Sequence, residues 1–420
     1  MSPLTAIAIK RIRRARLLDR DGLFRIDISA GRIAAIEAEP EAEAPVAPSG
    51  EEIDGGGMVV TGCLVDPHLH LDLAYSQDLV GPNESGTLRE AIGLWSIAKA
   101  TISAEDTRRR AEKAIRAEVG FGTGLIRSHV DVASNAGLRL TEGVLAAREA
   151  TRALCEIDLV AFPQDGLTRD PGALENCGAA IDAGVDRMGG IPHVEATRED
   201  GLRHLDAVFD LAMKKDVGID VHIDETDDPN SRYTEALAAK TIERGYQGRV
   251  TASHVCALAS YDEAGAQRVM DLIAEARISV VTNPGVNLHL QGRYDRYPKR
   301  RGLTRIVDLL ARGVRCAAGQ DCIRDPFYPF GNGAMLDQAW LLAHAEHMSR
   351  PGQIRQAFGM VCEMAAAVVG REHGVEVGKS ARLVVHGAGN IQELVRLRPT
   401  PRGVLFDGIM TAGASIGGRG

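Results

Sequence analysis

Val65-Asp66-Pro67-His68-Leu69-His70-Leu71-Asp72 places two imidazoles two residues apart at the end of an apolar run. In a strand, residues i and i+2 point to the same face, so both rings are presented together, as a metal needs from two of its ligands. Three later clusters, each after an apolar segment, offer further donors: His222-Ile223-Asp224-Glu225, Ser253-His254 and Gln320-Asp321-Cys322. Neutral imidazoles with one carboxylate suit Zn2+ or Fe2+. Three or four protein ligands leave a position for water, whose pKa falls from about 15.7 toward about 7 on such an ion. Moving protons then calls for a carboxylate that is not a ligand, and Glu225, three residues after His222, is placed for it. Taken singly, each residue has an ordinary reading: a lone histidine packs, and Glu225 borders the acidic run 224–228.

Donors from four separated segments need a scaffold that gathers strand ends. From residue 61, apolar strand-like segments (64–68, 124–130, 158–162, 188–193, 219–223, 249–254, 278–283 and 314–319) alternate with amphipathic stretches such as 104–120, 200–215 and 231–245. This is the rhythm of a (β/α)8 TIM-like barrel, an α/β fold whose active sites lie at the C-terminal strand ends. His68 and His70, His222, His254 and Asp321 fall at such ends, on strands one, five, six and eight. His129, counted onto strand three, and His193, on strand four, fall there too and read as supporting groups or rim packing. Short strands at 4–9, 23–28, 33–37 and 58–60 precede the barrel, and 383–385 and 403–409 follow it. They predict a small β-sandwich domain built from both chain ends, 1–60 with 376–420, around a hydrolase barrel at 61–375. The stretch 37–50 reads as a surface loop.

A net charge of −8 argues against nucleic acid or an anionic membrane as the main partner. The run Lys10-Arg11-Ile12-Arg13-Arg14-Ala15-Arg16 reads as the solvent face of an edge strand rather than a nucleic-acid arm. Seven scattered cysteines without a Cys-x-x-Cys suit a reducing cytoplasm. No apolar run reaches the roughly 18 residues of a membrane span, and the N-terminal charges follow the apolar segment, the reverse of a secretory signal. A cytoplasmic protein is expected.

Beyond single residues, a dense set of motifs resembles the cytosine deaminase family of the amidohydrolase superfamily over roughly 58–375. It comprises His68-Leu69-His70-Leu71-Asp72, Glu84-Ser85-Gly86-Thr87-Leu88, Arg127-Ser128-His129-Val130-Asp131-Val132, Val160-Ala161-Phe162-Pro163-Gln164, Ile191-Pro192-His193-Val194-Glu195, Asp220-Val221-His222-Ile223-Asp224-Glu225, Val250-Thr251-Ala252-Ser253-His254, Asn287-Leu288-His289-Leu290-Gln291-Gly292-Arg293 and Asp325-Pro326-Phe327-Tyr328-Pro329. The resemblance implies one divalent ion held by His68, His70, His222 and Asp321. It implies Glu225 as proton shuttle, His254 acting with Asp321 on the metal-bound hydroxide, and Gln164 reading a ring –NH–C(=O)– edge. The implied reaction is hydrolytic deamination of an amino-pyrimidine by a homo-oligomer.

Two departures from the family pattern bear on the substrate. The family usually carries His-Asp-Asp where this chain has Gln320-Asp321-Cys322, and a Trp where it has Phe327. An ionised carboxylate beside the ring edge excludes an apolar substituent by desolvation, whereas a thiol behaves as a small hydrophobe. The expected substrate is therefore 5-substituted cytosine, 5-methylcytosine above all. Alternatives are another amino-heterocycle (isocytosine, creatinine, an aminotriazine or a pterin) and, more remotely, a non-catalytic barrel scaffold. Other motifs fail on context. His193-Val194-Glu195 lacks the Pro-Cys-x-x-Cys of small zinc deaminases, and Gly413-Ala414-Ser415-Ile416-Gly417 lacks downstream triad partners.

Overall fold

The structure is a computed structural model and describes residues 7–40 and 50–413. Eight strands, β1 (Leu64–Leu69), β2 (Thr123–Asp131), β3 (Glu156–Phe162), β4 (Arg187–Gly190), β5 (Gly218–Ile223), β6 (Val250–His254), β7 (Ser279–Thr282) and β8 (Cys316–Ala318), pair in that order. Every pairing is parallel. Nearly every residue on these strands is buried, as in a sheet covered on both faces. The ring closes between β8 and β1 beyond the last regular pair. The amide of Asp321 donates to the His68 carbonyl at 2.7 Å, and that of His70 to the Asp321 carbonyl at 3.0 Å. Asp66 bridges the same seam: its Oδ1 accepts the backbone N–H of His68 (3.1 Å) and of Gln320 (3.0 Å).

Three helices bear on the site: α1 (Leu88–Ala98), α2 (Ala104–Gly120) and α3 (Pro284–Leu290). Thr87 and Ser103 cap α1 and α2 by accepting from the backbone of Glu90 and Asp106. On α2 the buried positions Thr107, Arg110, Ala111, Ala114, Ile115 and Glu118 recur at three- and four-residue spacing and face the barrel. Glu118 meets Asp66 there. Burial pushes Asp66 up to about 7 and Glu118 well above the usual range, so the pair holds a proton in place of a second charge. The expected helices at 200–215 and 231–245 are Arg198–Lys215 and Tyr233–Glu243.

The chain ends form two four-stranded sheets. One orders strands Arg32–Glu39, Leu23–Ser29, Arg11–Ala15 and Glu52–Asp54; the other orders Ile409–Gly413, Gly403–Phe406, Leu383–Val385 and Val60–Gly62. Ile12, Ile26 and Ile33 of the first share one buried cluster with Val60, Leu383, Val385 and Leu405 of the second.

Several expectations need correction. The arginine run lies on an inner strand, not an edge, and its charges are paired: Arg11 with Asp27 and Glu52, Arg13 with Glu39, Arg14 with Asp54. Residues 403–409 are two strands, because Asp407 and Gly408 at φ 49° and 76° turn the chain. Strand four stops at Gly190, since Pro192 opens a short 3-10 turn (Pro192–Val194) that carries His193 off the sheet. His129 lies on the second barrel strand, not the third. The start of the strand expected at 4–9, most of the loop at 37–50, and 414–417 of the C-terminal motif lie outside the described residues. All seven cysteines are free and buried. No helix among the described residues is long and apolar enough to cross a membrane.

Candidate metal and catalytic site

The C-terminal strand ends bring the separated donors together. His70 Nε2 lies 3.0 Å from His222 Nε2, and Asp321 Oδ1 lies 3.5 Å from His68 Nε2 and 3.6 Å from His70 Nε2. Two overlapping groups, His68/His222/His254/Asp321 and His68/His70/His129/His222, each gather their donor atoms within 4.8 Å of one another. Phe162 stacks on the His222 ring at 4.1 Å between centroids and limits its rotation.

Buried imidazole nitrogens normally find partners. Here His68 Nε2, His70 Nδ1, His222 Nδ1 and His129 Nδ1 have none, and His129 Nε2 has only Asp220 Oδ1 at 3.4 Å. Burial pushes His70 and His222 well down and His254 down to about 3, so the rings are neutral, the form that ligates a cation. Burial would raise Asp321, but the neighbouring His68, His254 and His70, which favour its charge whenever one of them is protonated, hold it below the usual carboxylate range. The Cys322 thiol is pushed up by burial and by Asp325 and Asp321, which keeps it protonated. The donors present are thus neutral imidazoles and one carboxylate, a set that fits Zn2+ or Fe2+.

Four non-glycine residues at these strand ends adopt positive φ: Asp224 (50°), His254 (73°), Val255 (53°) and Asp321 (67°). Such conformations cost energy and persist where surrounding bonds over-determine them. Asp224 supplies such bonds. Its carboxylate accepts from Ser231 Oγ (2.6 Å), the Tyr233 amide (3.1 Å), and the amide and hydroxyl of Thr234 (both 2.7 Å). That turn fixes Glu225, the next residue, which is 6% exposed rather than a solvated charge. Burial and the charge of Asp321 push the Glu225 carboxyl well above its usual range. His254 Nδ1 stands 3.5 Å from its Oε1.

A small cavity is lined by His70, Gln164, His222, Glu225, His254, Asp321, Cys322 and Phe327, with Leu73, Leu88, Ile191, Val286 and Leu290 completing an apolar wall. Of the residues singled out from the sequence, His68, His129 and His193 are missing from this lining, and His193 borders the outer chamber instead. Cys322 Sγ lies 3.7 Å from Asp321 Oδ1. Gly331 packs so tightly on this segment that a Cβ would come within 1.8 Å of the Cys322 carbonyl oxygen. Gln164 and Glu225 also border a wider, open outer chamber, reached past Leu88 of α1.

Three contributors escape the sequence reading. The backbone amide of Asn283 donates to Asn287 Oδ1 (3.1 Å), which turns the Asn287 amide nitrogen toward His254 Nδ1 at 2.9 Å. His254 therefore carries its proton on Nε2. Asn283 Nδ2 donates to Asp321 Oδ2 at 3.2 Å. A polar residue closing the apolar run 278–283 was the available signal for Asn283. Lys99 gave none. It is fully buried just after α1 and pairs at 2.8 Å with both Asp131 and Asp165, the neighbour of Gln164.

A model of the amidohydrolase family matches residues 51–411. The N-isopropylammelide isopropyl amidohydrolase of Pseudomonas sp. (strain ADP) is 32% identical over 383 residues, covering 89% of this chain and 90% of that protein. The pterin deaminase of Rhizobium rhizogenes is 31% identical over 400 residues, 92% of this chain and 88% of that protein. The crystal structure of 5-methylcytosine deaminase from Klebsiella pneumoniae, liganded with 5-fluorocytosine, superposes with a TM-score of 0.92 at 36% identity, covering 97% of this chain and 98% of that one.

Proposed function

We propose, since this chain belongs to the amidohydrolase family and is a hydrolase of carbon–nitrogen bonds, that it deaminates cytosine-type amino-pyrimidines and accepts 5-methylcytosine. The observation that carries the reading is the shared cavity: Cys322 and Phe327 line the same small space as Gln164 and Glu225. Among the described residues no lysine or arginine lines it, which suits a neutral ring. The likeness to a 5-methylcytosine deaminase supports the same choice.

His68, His70, His222 and Asp321 would hold one divalent ion, Fe2+ or Zn2+, which supplies Lewis acidity and a water ionised near neutral pH. Gln164 presents an amide donor and acceptor to the ring edge and orients the amino-bearing carbon. Glu225, its pKa raised by burial and by Asp321, is placed to take up a proton and pass it to the departing amine, so that ammonia leaves. His254 presents its Nε2–H to the cavity, and Asn287 keeps it in that tautomer. Cys322 offers an apolar, uncharged contact to a 5-methyl group.

A second reading, an aminotriazine or a pterin, draws on the open outer chamber beside Gln164 and Glu225 and on the two relatives, an N-isopropylammelide isopropyl amidohydrolase and a pterin deaminase. Ammonia release from metal-loaded protein with cytosine, 5-methylcytosine, isocytosine, creatinine, an aminotriazine and pterin tests both. The expected result is a kcat/KM for 5-methylcytosine at least equal to that for cytosine. Cys322→Asp should then lower the 5-methylcytosine to cytosine ratio by about 10–200-fold, the range for one methyl in a pocket. Rejection of the methylated base with good turnover of cytosine overturns the assignment to Cys322. Turnover of pterin or an aminotriazine alone replaces it with the second reading.

A further inference from the structure

We propose that Ser253 is a positioning residue for His68, the middle member of a buried relay that decides which nitrogen of that ring is free to ligate. The inference rests on the reading of His68 as a metal ligand. Of the three candidate histidine ligands, His70 and His222 have Nδ1 without a partner, whereas His68 Nδ1 lies 2.9 Å from Ser253 Oγ.

The direction of each hydrogen bond follows from the far end of the chain. Arg127 is fully buried and donates to Asp158 Oδ2 at 2.7 Å and to Asp220 Oδ2 at 2.9 Å. A guanidinium cannot give up its charge, so Asp220 is a carboxylate and only accepts. The Ser253 hydroxyl donates to Asp220 Oδ1 at 2.9 Å. Its single hydrogen is then committed, and toward His68 it can only accept. His68 therefore carries its proton on Nδ1, which leaves the lone pair on Nε2, the nitrogen that faces Asp321 Oδ1 at 3.5 Å. All five side chains are buried. Water therefore does not compete for these bonds, and the ring is held in one tautomer before any ion arrives.

Ser253 is on β6 and Asp220 on β5, paired strands in which Asp220 lies beside Thr251 and His222 beside Ser253. The relay thus crosses the barrel interior from β6 to the ligand on β1, and Arg127 of β2 anchors its other end.

The test measures zinc affinity of metal-stripped protein by competition with a chromogenic chelator at pH 7, for wild type, Ser253→Ala and Ser253→Thr. Loss of an outer partner of a ligating histidine weakens metal binding by about 10–100-fold, and that is the expected loss for Ser253→Ala. Ser253→Thr keeps the hydroxyl and should recover most of it. Ring 15N NMR of the metal-free forms gives the second readout: His68 should be the Nδ1–H tautomer in wild type and lose that preference in Ser253→Ala. Wild-type zinc affinity in Ser253→Ala, or an Nε2–H ring for His68 in wild type, overturns the relay. A Thr variant as weak as the Ala variant, with the wild-type tautomer retained in both, also overturns it. Wild-type protein that binds no divalent ion overturns the proposed function and this inference together, whereas equal binding by wild type and Ser253→Ala overturns the relay alone.

Discussion

Replacing Lys99 by methionine removes the cation that pairs with both Asp131 and Asp165. Its ammonium is 2.8 Å from Asp131 Oδ2 and 2.8 Å from Asp165 Oδ2, with side-chain exposures of 0%, 1% and 25% for the three groups. Methionine fills nearly the same space but leaves the two carboxylates unpaired. Breaking a buried ion pair by deleting one partner costs about 3–5 kcal/mol. Two features favour the low end. Asp165 is partly wet, and Asp131 keeps the Trp95 indole N–H at 2.9 Å and the Ala133 amide at 2.9 Å. About 3 kcal/mol is therefore expected, read as a lower urea midpoint at pH 7. Lys99 also ties the end of α1 to the residue after Gln164, so the loop proposed to read the ring should loosen. KM for the preferred base should rise about tenfold for each 1.4 kcal/mol lost there, with a smaller change in kcat. A variant with wild-type midpoint and wild-type KM refutes the argument on both counts.

Glu225→Gln should retain its metal by elemental analysis and lose turnover by about 10^2–10^4-fold; near-normal ammonia release removes Glu225 from proton transfer. Glu195 is a structural carboxylate with a legible pH signature. Burial would raise it, but His204 Nδ1 at 2.7 Å, Thr168 and the Leu167 amide hold it at about 2. A depressed pKa contributes stability above the unfolded value, about 4.3, and loses it as pH falls toward the folded one. Urea midpoints between pH 5 and about 2 should fall more steeply in wild type than in Glu195→Gln, and parallel profiles argue against the assignment.

The barrel was legible because its strands are short apolar runs at a regular spacing, and each segment from 64–68 to 314–319 overlaps an observed strand. Errors arose where one or two residues interrupt a run, as Pro192 does on strand four and Asp407-Gly408 do in the C-terminal hairpin. The arginines of 11–14 looked solvated because their carboxylate partners lie up to 41 residues away. The same blindness to distance hid the support around the metal cluster. Lys99 meets Asp165, His68 meets Ser253, and Asn287 meets His254 only after the barrel has closed, and no local pattern announces such pairs. Residue type and strand position alone could nominate His68, His70, His222, His254, Glu225 and Asp321.

The seam between the first and last barrel strands has a temporal meaning. Asp66 and Gln320 are 254 positions apart, so the bond that aligns them forms only once nearly the whole barrel has been made. A ribosome delivers a chain from its N-terminus, at roughly 5–20 residues per second. His68 and His70 thus emerge many seconds before Asp321 and must wait for their carboxylate partner. Until then the two imidazoles sit on an unclosed edge strand. Under the proposed ligand set, capture of an ion by all four donors therefore has to await Asp321, late in synthesis.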